Sequence, residues 1–119
     1  MSQKMIKVPA SIVFLLAMIA VSFAEDAPTF EREVLPVLTK SCVSCHGPDK
    51  QKSGFRADGL DGFVNSGKNG PWVVPGDSEN SKIIQLLSGR MRLKKDQEKH
   101  QLPASQVQML RLWIDSGAR

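Results

Sequence analysis

Cys42-Val43-Ser44-Cys45-His46 is the stretch on which the reading of this chain turns. Two thiols separated by two residues, with an imidazole immediately after, form the C-x-x-C-H pattern of covalent haem attachment. The chemistry explains the spacing. Each cysteine sulfur adds to one of two neighbouring vinyl groups, so the sulfurs must reach adjacent edges of the porphyrin. Two intervening residues turn the chain by one helical step, and the next residue then falls beneath the metal. On this reading Cys42 and Cys45 would attach one haem c, and His46 would be the proximal iron ligand. The chain contains no other cysteine.

Three competing readings use the same residues. A thioredoxin-like dithiol needs a strand–helix setting, and no strand alternation of useful length appears around the pair. A zinc site could be assembled from Cys42, Cys45, His46 and His100, but adjacent Cys45 and His46 are awkward as simultaneous tetrahedral ligands. A plain disulfide is the third.

Outward from the motif, the 119 residues suffice for one domain. A composition of 41% hydrophobic and 24% charged residues excludes a disordered or polytopic membrane chain. Aromatics are only 6%, with five Phe, two Trp and no Tyr. A small domain with so few large rings tends to need a staple, and a flat apolar cofactor would supply one.

Lys4 and Lys7, the apolar run from Val8 to Ala20, and Ala24 ahead of Glu25 read as a secretory signal peptide over residues 1–24, with cleavage after Ala24. The strictly apolar part, from Ile12 to Ala20, is short for a bilayer span of about 20 residues. Stable membrane insertion is therefore expected only if the signal stays uncleaved, and the haem-binding domain is assigned to 25–119. Lys4 and Lys7 lie in that leader, so half of the formal +4 charge leaves with it. The remainder is too small, and too poor in interleaved aromatics, to imply nucleic acid. Arg90, Arg92, Lys94, Lys95 and Lys99 read as a solvated face.

Thr29 is placed to cap a helix starting at Phe30, with Phe30, Val34, Leu35 and Leu38 on one face and Pro36 bending it. The segment from Gly54 to Gly76 holds six of the nine glycines and reads as irregular loop. A second helix is expected over Ser78–Ser88, capped by Asp77 or Ser78 and stopped by Gly89. The last opens near Pro103 and runs through Val107, Leu110, Trp113 and Ile114 to Gly117. The fold class is all-α: three to four short helices with long glycine-rich loops around one covalently bound haem.

The blocks Phe30…Val34-Leu35-Pro36-Val37-Leu38, Cys42 through Arg56, Gly70-Pro71-Trp72-Val73-Val74-Pro75-Gly76-Asp77 and Leu110 through Ala118 resemble the planctomycete-type cytochrome c domain. The resemblance implies a monohaem, class I-like cytochrome c fold in an exported, periplasmic or similar location. With no catalytic carboxylate pair, nucleophile with base or phosphate-binding loop in the sequence, one-electron transfer to and from a redox partner protein is expected rather than catalysis. Arg56 matches a family arginine and could pair with a haem propionate; pairing with Asp58 or Asp61 is the equal alternative.

The family's Met-Pro-Pro block, whose Met is a natural sixth iron ligand, is missing from this chain. Met91 sits where that block would start and ranks first for the sixth position. His100, in the same connection, ranks second, and an open or water-ligated site third. An open site would turn the molecule towards sensing or haem catalysis, and a haem-free Cys-pair module is the remaining alternative. Met109, inside the last helix, reads as core packing.

Overall fold

Thr29 opens the first element, as its place ahead of Phe30 predicts. In a computed structural model that describes residues 26–119, its backbone is extended and its hydroxyl accepts the Arg32 N–H. Glu33 reaches back to the Thr29 N–H at 2.6 Å. This is a capping box widened by one residue, because the turn it closes is a π-turn, Phe30–Val34. The Val34 and Leu35 N–H groups bond to the carbonyls of Thr29 and Phe30, five residues back. The chain then tightens into α1, Leu35–Ser41, with Pro36 in its first turn. The bend expected at Pro36 is thus realised as a change of helix type just before it, where the missing N–H costs least. The leader expected over residues 1–24 lies outside the described residues.

Three further α-helices follow: α2, Leu60–Asn65; α3, Lys82–Leu87; and α4, Ala104–Asp115. Among the described residues the class is all-α, with one isolated bridge between His46 and Gln51. No described helix is long and apolar enough to cross a membrane.

Helix α2 corrects the expectation of an irregular loop from Gly54 to Gly76. Gly59 and Gly62 lower the local helix propensity. The helix forms because Phe63 is fully buried between Phe30 and Trp113, with ring centres 6.5 and 5.8 Å away. Helix α3 starts four residues later than expected: Ser78 is engaged by α4, and Asp77 caps only the short turn ahead of the helix. The Ser78 N–H and hydroxyl both donate to the Asp115 carboxylate, and Asp77 accepts from Asn80. Gly89 ends α3 at φ +81°, as the sequence suggests.

Helix α4 follows its periodicity: Val107, Leu110, Trp113 and Ile114 are all buried, and Pro103 stands at its N-cap. Met109 packs against the core. The π-turn and α3 both pack on α4. Ser81, fully buried, ties the loop before α3 together by accepting the Val74 N–H at 2.8 Å and donating to the Asp77 carbonyl at 2.9 Å.

Replacing Ser81 by Ala strands both of those backbone groups. It is expected to cost about 1–3 kcal/mol in chemical denaturation. A loss within about 0.5 kcal/mol, the range of an ordinary surface change, would contradict the role given to this hydroxyl.

Candidate functional site

The end of α1 runs directly into the Cys42–His46 stretch. Cys42 N–H bonds to Leu38 O at 2.8 Å, and His46 N–H bonds to Cys42 O at 2.9 Å. The motif is therefore one helical turn, which is what two residues between the cysteines require. Gly47 follows where only a glycine fits: a Cβ there would run into the Val43 carbonyl oxygen. Its N–H closes a tight reversal onto Lys50 O at 2.7 Å, and Lys52 N–H returns to Cys45 O.

That reversal places the Lys52 carbonyl 3.1 Å from His46 Nδ1. Phe55 packs edge-on against the same ring at 5.2 Å. The imidazole is held on two sides, and Nδ1 is the nitrogen spent on the backbone. Burial holds His46 below the ordinary imidazole range, against the pull of the Phe55 and Lys52 backbone oxygens and with help from the His100 and Lys52 charges. At neutral pH the ring is neutral and has a lone pair to give.

Cys42, Cys45 and His46 line a cavity of ≈ 390 Å³, within the range of small-molecule and cofactor sites. Its apolar wall comes from Phe55, Trp72 and α3, which contributes Ile83, Leu86 and Leu87. Leu93 and Leu102 add to it, while the exposed Lys52 and Lys99 mark its rim. Both cysteines are free, half-buried thiols. Burial pushes the Cys42 thiol up to about 11, with Cys45 beside it adding to the shift. A dithiol catalyst needs the opposite shift. Among the described residues, no group of three or more His, Cys, Asp or Glu side chains is arranged to hold a metal ion unaided.

The remaining sequence candidates separate. His100 lines the cavity, its ring centre 6.1 Å from that of His46. Met91 is half-buried but is not among the lining residues. Arg56 is also outside the lining. Its guanidinium holds Asp58 through two hydrogen bonds, Nε to Oδ1 at 2.7 Å and Nη2 to Oδ2 at 2.6 Å. Of the two tryptophans, Trp72 lines the cavity whereas Trp113 is wholly buried in the core. Within the basic stretch, Arg90 pairs with Glu79 and Lys99 with Asp96 at the surface.

Sequence reasoning missed the part played by α3. The available signal was its apolar residues on more than one face, Ile83, Ile84, Leu86 and Leu87, in so short a helix. Such a helix meets a core on one side and something else apolar on another. Phe55 carries no comparable local signal.

The Arg56–Asp58 pair makes a pH prediction. Its hydrogen bond from Arg56 holds the Asp58 carboxyl below its usual 3.8. A depressed acid contributes stability that is complete above pH 3.8 and is lost as pH falls through the lower folded value. Arg56→Gln should raise the Asp58 titration, followed by NMR, back towards 3.8. An unchanged midpoint would mean that the guanidinium does not serve Asp58 in solution.

Residues 42–98 match the family model described as Planctomycete cytochrome C. Neither curated proteins nor solved structures give a match.

Proposed function

We propose, from the match of residues 42–98 to the planctomycete cytochrome c family model, that the chain is an exported one-electron carrier bearing one covalently attached haem c. What carries this reading is the coincidence of the Cys42–His46 turn with an apolar cavity that it lines. The residues present fit the group: two thiols one helical turn apart, a neutral imidazole fixed through Nδ1, and aromatic and aliphatic walls.

Cys42 and Cys45 would hold the porphyrin as thioethers. That attachment would be a redox-neutral addition of each S–H across a vinyl group, so neither cysteine would need an oxidant. When bound, the haem iron supplies the chemistry by accepting and returning one electron. His46 would hold the iron through Nε2, with the Lys52 carbonyl on Nδ1 orienting that ring and raising its basicity. Phe55, Ile83, Leu86 and Leu87 exclude water from the site, and burial of this kind tunes a haem potential. The exposed rim at Lys52 and Lys99 leaves one edge open for a redox partner protein. A carrier needs no acid–base residue at this site. Export through the 1–24 leader places the protein where haem is attached, and the mature chain would begin at Glu25.

Matured alongside a haem-attachment system, the protein should give a c-type pyridine haemochrome and a reversible one-electron voltammetric wave. The Cys42→Ala/Cys45→Ala double variant should retain no haem through denaturation. A folded, matured wild-type protein without a haemochrome, or without a reversible wave, would overturn the reading.

A further inference from the structure

Two imidazoles line the one cavity, and each has spent the same nitrogen. His46 Nδ1 lies 3.1 Å from Lys52 O, and His100 Nδ1 lies 2.8 Å from Asp96 O. A backbone carbonyl accepts only from N–H, so Nδ1 is the protonated nitrogen on both rings and Nε2 is the one free to bind a metal in the neutral form. Their centres are 6.1 Å apart, with planes inclined at 59°. A metal–imidazole bond of about 2 Å, plus about 1 Å from nitrogen to ring centre, counted on both sides, sets two opposed ligand rings about 6 Å apart.

His100 is held in that position by its own turn. It ends a 3₁₀ segment, Gln97–His100, entered through Asp96 in the left-handed region at φ +59°. Gln97 Oε1 accepts the Leu93 N–H at 2.6 Å, bracing the approach to the turn. Met91 has its N–H bonded to Gln85 O at 2.8 Å, and it does not line the cavity. The family match ends at residue 98 and so assigns nothing to His100.

The geometry points to His100 as the second axial ligand, placing the iron between the His46 and His100 imidazoles and leaving Met91 without a part in coordination. This rests on the haem-bearing reading above. Two imidazoles give a lower potential than a Met–His pair and leave no vacant position for a small ligand.

The test compares wild type, Met91→Leu, His100→Met and His100→Ala, each matured as the full chain and checked for haem by pyridine haemochrome. Wild type and Met91→Leu should share one low-spin ferric spectrum, one potential and no sulfur-to-iron charge-transfer band. His100→Met should gain that band and shift to higher potential. His100→Ala should, once reduced, bind carbon monoxide without displacing a protein ligand.

A sulfur band in wild type that Met91→Leu abolishes would overturn the assignment even if the His100 variants failed to fold. So would carbon monoxide binding by wild type as readily as by His100→Ala. A wild-type protein without haem would overturn both this inference and the proposed function, whereas a haem-loaded protein with the wrong spectrum would overturn only this one.

Discussion

A single helical turn, Cys42 to His46, has to present two thiols and one imidazole to the same apolar space, and the surrounding hydrogen bonds meet that demand from both ends. On the upstream side, α1 passes its carbonyl at Leu38 to Cys42 and Val43. On the downstream side, the reversal at Gly47 brings Lys52 back to the His46 ring, while His46 O accepts the Ala57 N–H at 2.7 Å. Those backbone bonds are local, and they make the donor set rigid before any cofactor is considered. The one-electron role proposed above would benefit from such rigidity, since a ligand shell that does not rearrange between oxidation states lowers the cost of the electron's move.

The site is also joined to the core by an unbroken series of aromatic contacts. Trp113 packs on Phe63 at 5.8 Å, Phe63 on Phe55 at 5.8 Å, and Phe55 on the His46 ring at 5.2 Å. The scarcity of aromatics is therefore offset by where they stand: one series runs from the C-terminal helix to the imidazole. Trp113 also satisfies its own N–H, which donates to Arg119 O at 3.0 Å. The domain does not separate into a scaffold and a site, because Phe55 and Phe63 serve both.

How much of this was legible in the sequence depends on the range over which each feature is decided. The Cys42–His46 turn is set by covalent chemistry at fixed spacing, and α4 is set by a helical apolar repeat sustained over twelve residues; both are local. Helix α2 depends on burying Phe63 against residues far away in sequence, so its glycines pointed the wrong way. The start of α3 depends on Ser78 meeting Asp115, 37 residues downstream. No propensity argument sees that pairing, and the same serine reads equally well as a cap. The order of Met91 before His100 rested on position along the connection. The path of that connection is decided by the left-handed backbone at Asp96 and the Gln97–Leu93 bond, which bring His100 into the cavity. Arg56 was balanced between a haem propionate and a surface carboxylate, Asp58 or Asp61; of the two aspartates its guanidinium meets Asp58.

The account stands or falls on thioether attachment at Cys42 and Cys45, and intact-mass spectrometry of the exported, denatured chain measures it directly. Addition of S–H across two vinyl groups loses no atoms. The mature polypeptide should therefore gain the whole mass of one haem, and fragmentation should place that gain on the Cys42–Cys45 segment. A folded, exported chain at the mass of the polypeptide alone would contradict the account.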